Sequence, residues 1–333
     1  MLESITPEDA VEAYLKERES ELSDSSLQNQ RYRLEQFVDW CNEVGLEDMN
    51  NITGRKLHDY KMWRSEGIKP ITLKSQLDTL RMFLRFCERI EAAPKHVHER
   101  VSPPTITGNG DQNDDILKPE AVDQILEYLE KWEYASFRHV AVYLLWHTGM
   151  RSGSARAIDV DDYNSKEEYV KIKHRPESET PLKNKEHGER HVNLSRELCD
   201  VIDDFLEFNH KNVADDYGRV PLFCTSRGRA ALSTIRRGVY QITRPCVYTD
   251  DCPHDRVIED CEAIKRDHES KCPSSVAPHA IRRGAITHHL NSGVPKEVVS
   301  DRMNVSDEVL EKHYDERTAG ERRSQRNSYL DNI

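Results

Sequence analysis

Apolar positions recur every three or four residues through most of the chain, and alternating runs are short and few, so helices dominate the expectation. ITPEDAVEAYLKERE places Thr6 before Pro7 with acids in the first turn, which predicts a helix start. A second helix is predicted from Ser25 to Val44, where Leu34, Phe37, Val38 and Cys41 share helical spacing. Thr53 caps a third, ending near Glu66. A fourth, Ile71 to Ile90, sets Leu73, Leu77, Leu80, Leu84 and Cys87 on one side. Residues 93–115 hold Pro, Gly, Asn and Asp without periodicity. The chain therefore divides into a helical unit over 1–100, a linker over 101–115 and a second unit over 116–333. In that second unit KPEAVDQILEYLEKW, ASFRHVAVYLLWHTGM, RELCDVIDDFLEFN and Ser233–Thr243 read as helices, and further helices start near Pro278, Pro295 and Ser306. EEYVKIKHRP and ERHVNLS read as short strands around a loop. The expected fold is mainly α: a four-helix N-terminal domain, then an α+β domain with a small sheet.

Charge changes the picture twice. Among 333 residues the balance is −12, with 36% apolar and 32% charged residues. A net negative chain argues against phosphate binding, but distribution matters more than the total. Arg outnumbers Lys by 30 to 18, and no acid lies between Asp216 and Asp250, where Arg219, Arg227, Arg229, Arg236, Arg237 and Arg244 all fall. Lys74, Arg81, Arg85 and Arg89 line one side of the fourth predicted helix. An acidic, salt-tolerant exterior around a basic working face accounts for both. No apolar run reaches eighteen residues and MLESITPEDA lacks an apolar signal core, so a cytoplasmic chain without a membrane span is expected.

Four segments carry candidate chemistry. HTGMRSGSARAIDVDDY puts Arg151 after a Gly turn, and TPLKNKEHGERHVNL is a Lys-rich loop between strands. APHAIRRGAITHHL sets His279 and Arg282 three apart behind Pro278. In RMNVSDEVLEKHYDERT, Ser306 caps a short helix that brings Tyr314 near its end. A His and two Arg so close together fit a metal ligand with bystanders, a solvated basic edge, or a phosphate clamp. In this order, after a basic helical N-terminal unit, the four segments resemble the tyrosine recombinase or phage integrase family, and within it the recombinases of salt-loving archaea.

The resemblance implies a SAM-like core-binding domain over 1–100 and a catalytic domain over 116–333. It implies site-specific cutting and rejoining of double-stranded DNA through a 3′-phosphotyrosyl link and a Holliday junction. Arg151 and Arg282 would hold the scissile phosphate, since guanidinium forks match its oxygens. Lys183, or Lys185 in its place, would protonate the leaving 5′-oxygen, His279 would assist proton transfer, and Tyr314 would attack. No cofactor is needed for catalysis, because the covalent link conserves the phosphodiester's energy. A homotetramer on DNA, associated with the nucleoid, is implied, and a directionality factor is conceivable. Two departures stand out: Val305 occupies the place of a second His or a Trp, and Ser154 that of a Glu. They leave open a catalytically impaired DNA-binding accessory or regulatory protein of the same fold.

The family clamp places N-terminal helices on one side of the duplex and the second domain on the other. Lys74, Arg81 and Arg85 are expected at DNA from the first, and Arg227, Arg229, Arg236, Arg237 and Gln241 from a reading helix in the second. Of eight Cys, Cys41, Cys87, Cys199 and Cys224 stand apart and read as apolar core. Cys246, Cys252, Cys261 and Cys272 fall in an insert over 245–273 that family members generally lack. A structural zinc on these four, with His254 as an alternative ligand, is expected to stabilise this polar loop and brace the helix of His279 and Arg282.

Overall fold

Helix caps in the first unit follow the local chemistry of the chain. In the computed structural model, which describes residues 4–106 and 115–313, helix α1 (Pro7–Arg18) opens on Thr6, whose hydroxyl accepts from the Asp9 N–H at 3.1 Å. Ser23 caps α2 (Asp24–Glu43) and Thr53 caps α3 (Gly54–Ser65) in the same way. Helix α4 (Pro70–Arg89) starts with its proline, which has no N–H to leave unpaired. Its expected stripe is inside: Leu73, Leu77, Leu80, Leu84 and Cys87 are buried. Phe37 meets Tyr60 and Phe83 edge-on at 5.3 and 6.2 Å, and each such fully buried ring stabilises by about 1.5–3 kcal/mol. Burial pushes the Cys41 and Cys87 thiols up to about 12, so both are inert filling.

The chain divides into two compact units, Met1–Asn113 and Asp114–Ile333. In the second, α5 (Pro119–Trp132) is followed by α6 (Phe137–Thr148), which is buried nearly all round through Val140, Ala141, Val142, Leu144 and Leu145. Around α6 pack α5, α8 (Arg196–Asp204), α9 (Leu232–Ile242) and α11 (Pro278–Asn291). The short α7 (Ser152–Ala157) leads into an antiparallel sheet of β1 (Tyr163–Asn164), β2 (Tyr169–Ile172) and β3 (Arg190–Asn193), in that order. Ile172 pairs with Arg190, so the Lys-rich segment between β2 and β3 projects from a closed hairpin. β4 (Cys224–Thr225) and β5 (Gly228–Arg229) make a tight ribbon before α9. After α9 come α10 (Pro245–Tyr248), α11, α12 (Lys296–Met303) and α13 (Asp307–His313). The elements α7, β4, β5 and α10 are too short to show a period, which is why the pattern did not announce them.

Gly284 explains how α11 reaches its place: a Cβ there would lie 2.1 Å from the Leu117 carbonyl oxygen, so only glycine lets the helix touch the segment that leads into α5. The Leu117 N–H in turn donates to the Ala280 carbonyl at 3.2 Å. Beyond α11 a small separate core forms from Ala285, Ile286, Leu290, Val299, Met303, Val305 and Leu310. No helix among the described residues is long and apolar enough to cross a membrane.

Candidate active site

Helix α6 stops at Gly149, whose φ of 58° belongs to the left-handed region and whose N–H closes on Leu145. A side chain there would lie 2.5 Å from the Met303 sulfur, so the turn also requires glycine for space. The chain reverses and leaves Arg151 at the cap position of α7. From the other direction, Pro278 starts α11, His279 stands in its first turn, and Arg282 lies inward, 2% exposed. Arg282 Nη1 donates to the carbonyls of Gly149 at 2.6 Å and Met303 at 2.7 Å, and its Nη2 to Asn304 at 3.3 Å. Arg151 Nη1 donates to the same Asn304 carbonyl at 3.0 Å. Two guanidiniums 131 positions apart in the sequence thus meet on one oxygen.

His279 belongs to the same positive field. Its proton is disfavoured first by the protein that thins its hydration, then by Arg283, Arg282, Arg151 and Lys183, so its pKa falls below the ordinary imidazole value. Lys183 is exposed on the hairpin loop. Lys185 is exposed too, but starts a tight turn, Lys185–Gly188, at φ 51°. Arg190 braces this loop by donating to the Gly188 and Arg302 carbonyls, both at 2.8 Å. Burial and then the charge of Arg151 push its guanidinium down to about 10.

The two departures have structural explanations. Val305 is 7% exposed and packs in the small core with Met303 and Leu310, so its side chain belongs to the hydrophobic interior. Ser154 is buried on α7. Asn304 has its amide turned to the hairpin loop, donating to the His187 carbonyl at 3.1 Å. The expected nucleophile Tyr314 lies outside the described residues, one position past the end of α13. His288 packs its ring against Trp146 at 5.4 Å and His289 bonds the Ala285 carbonyl at 2.8 Å, both packing roles.

Residues 115–319 match the model of the phage integrase family, and residues 11–90 match the phage integrase N-terminal SAM-like domain. The chain belongs to the phage integrase family. It is 23% identical over 314 residues to a probable integrase/recombinase protein of Methanocaldococcus jannaschii, covering 90% of this chain and 84% of that one. Its fold is similar to the Tn1549 transposon integrase in complex with a circular intermediate DNA, with a TM-score of 0.66 and 13% identity over 98% of this chain and 100% of the other. It is also similar to a lambda integrase dimer bound to a COC′ core site, with a TM-score of 0.64 and 13% identity over 95% of this chain and 79% of that one.

The residues expected at DNA in this integrase fall into three groups. On α9, Ile235, Val239 and Ile242 face the core, while Arg236 is exposed. Arg227 is exposed on the ribbon, and Arg85 on α4. The second group is accessible but engaged: Arg237 stands 3.3 Å from Asp267, Lys74 2.7 Å from Asp78, and Arg81 3.7 Å from Asp78. Gln241 donates to Glu269 at 2.9 Å. Arg229 is the third case and a correction. Its side chain is only 5% exposed, ion-paired with Asp159 and, at 2.8 Å, with Asp215. A window without acids in sequence is not one without acids in space, because Asp159 folds back onto it.

The expected zinc site of the integrase insert is not assembled. Cys246, Cys252, Cys261 and Cys272 are free thiols, and among the described residues no three His, Cys, Asp or Glu side chains converge to hold a metal ion. His254 bonds Ser274 at 2.9 Å instead. The insert is held by α9 and the turn after it: buried Glu269 accepts from Gln241, and Arg244, just past that helix, donates to the Ala263 carbonyl at 2.8 Å. Between helix and insert lies a cleft of about 270 Å³, with Ser233, Arg236 and Tyr240 on one wall and Asp267 and Ser270 on the other.

Proposed function

We propose that the chain is a site-specific tyrosine recombinase that cuts and rejoins double-stranded DNA through a 3′-phosphotyrosyl intermediate. The observation that carries this reading is the meeting of Arg151 and Arg282 on one oxygen, with His279 and Lys183 in the same electrostatic field. In the proposed step the two forks hold the non-bridging oxygens of the scissile phosphate and stabilise the charge gained in the transition state. The Tyr314 phenol attacks phosphorus and passes its proton to neutral His279. The P–O5′ bond breaks, and Lys183 protonates the departing 5′-oxygen. Rejoining is the reverse attack by a 5′-hydroxyl, so neither a metal ion nor ATP enters the balance.

The N-terminal unit is proposed as the core-binding domain, with Arg85 and neighbouring cations at phosphates, and α9 as a second DNA-facing element. A homotetramer would form the synapse, and the acidic exterior would favour activity at high salt. A nicked duplex that loses the 5′ fragment after cleavage tests the reading. The expected result is a covalent 3′ adduct that Tyr314→Phe abolishes. A full-affinity complex without adduct favours the second reading, a DNA-binding protein that does not exchange strands, which the buried Val305 supports.

A further inference from the structure

Asn304 stands where three parts of the candidate site meet. It ends α12 in the left-handed region, at φ 50° and ψ 65°, a conformation that asparagine and glycine tolerate best. Its main-chain oxygen receives both Arg151 and Arg282. Its side chain turns the opposite way: the amide oxygen accepts from Asn184 Nδ2 and the amide nitrogen donates to the His187 carbonyl. Asn184 is the neighbour of Lys183, and His187 precedes the buried Gly188, where an added Cβ would lie 3.3 Å from the Asn304 amide nitrogen. The hairpin loop packs directly on this one side chain.

The other ties of the loop are at its ends, where the Leu182 N–H donates to His174 at 2.9 Å and Arg190 to the Gly188 carbonyl at 2.8 Å. Residues 183–187 are exposed, and only Leu182 and Gly188 at its ends are buried. A lysine on such a loop carries a flexible stem that must be placed before its ammonium can serve one particular oxygen. We propose that Asn304 is a positioning residue, its backbone bonded to the arginine pair and its side chain to the lysine loop, so that Lys183 is presented to the leaving 5′-oxygen. This rests on the recombinase reading above.

The experiment compares two nicked duplexes, one with the natural 5′-oxygen at the scissile phosphate and one with sulfur there. A thiolate leaves without being protonated, so the sulfur substrate bypasses the general acid alone. Asn304→Gly keeps the left-handed turn and the main-chain carbonyl and removes only the side chain. Adduct formation on the oxygen substrate is expected to slow roughly 10- to 100-fold, part of the roughly 100- to 10,000-fold that a well-placed general acid contributes. DNA affinity and melting temperature should be retained. On the sulfur substrate the rate should return to the wild-type level, as it should for Lys183→Ala. Asn184→Ala tests the same link from the loop side, is informative even if Asn304→Gly folds poorly, and combined with it should add no further loss. Equal slowing on both substrates, or no slowing on either, overturns the proposal while leaving the recombinase reading intact. A wild-type chain that forms no adduct on either substrate overturns both.

Discussion

At the scale of single residues, identical side chains take opposite fates. Arg229 and Arg236 lie seven positions apart in one basic window, yet Arg229 is paired inside while Arg236 faces solvent. Arg229→Ala should destabilise the fold by about 1.5–3 kcal/mol, because it removes the nearest cation from buried Asp159 and from Asp215 and leaves only their longer pairs with Arg175 and Arg219. Arg236→Ala should leave the urea midpoint unchanged and reduce the salt slope of DNA binding by about 0.9. Reversed outcomes would exchange their assignments. His279 yields a second test. Its lowered pKa keeps the imidazole neutral, and so able to accept a proton, at any pH above that depressed value. The cleavage rate at subsaturating DNA should rise with pH along a limb whose midpoint lies below 6.5, and His279→Ala should remove that limb. A midpoint above 6.5 would mean that the cations around it do not govern its titration.

At the scale of elements, α9 and the insert are the pair whose relation no local pattern contained. Between Pro245 and Pro273 the insert carries eight acids against four Lys and Arg, and it packs against α9, which carries Arg236 and Arg237 and no acid. In the proposed DNA complex Asp267 would compete with phosphate for Arg237. Asp267→Asn should therefore tighten DNA binding about two- to fivefold at low ionic strength, the range expected of one partly exposed ion pair, and the gain should vanish at high salt. Anisotropy titrations at two salt concentrations measure it, and unchanged affinity at low salt would remove Arg237 from the phosphate contacts. The hairpin that carries Lys183 shows the same dependence on remote partners. Arg156 donates to the Glu179 carbonyl at 2.7 Å, and Arg219 to Ser178 and Thr180 at 3.2 and 3.0 Å, which anchors the hairpin just before Lys183.

At the scale of the molecule, acid should unfold the chain through its histidines before its carboxylates. Burial pushes both His139 and His147 down to about 4, from 6.5, with Arg302 and His289 adding to the effect on His147. Below pH 6.5 the unfolded chain takes up these protons and the folded chain does not, so stability falls from there toward pH 4. Two such groups set a slope approaching about 2.7 kcal/mol per pH unit. Urea midpoints at several pH values should show it, and His147→Gln should flatten roughly half. Asp162 follows later. Burial opposes its ionisation, but Arg175 and Lys173 outweigh that and hold it below 3.8, so its contribution survives until lower pH.

Much of this was legible along the chain. Helix starts at Thr6 and Thr53, the buried stripe of α4 and the hairpin around the Lys-rich loop all follow from contacts within a few residues, where sequence spacing and spatial spacing coincide. The likeness in four ordered segments likewise pointed to the integrase family and to Arg151, Lys183, His279 and Arg282 as candidates. What tertiary structure alone decided concerns partners far apart in the chain. Asp159 meets Arg229, Asn304 joins the loop to both guanidiniums, Val305 enters a small core, and among the described residues the four thiols form no group that could hold a metal ion. Composition records that a charge or a thiol exists; only the packing of distant segments determines what stands beside it, and so whether it remains available for chemistry.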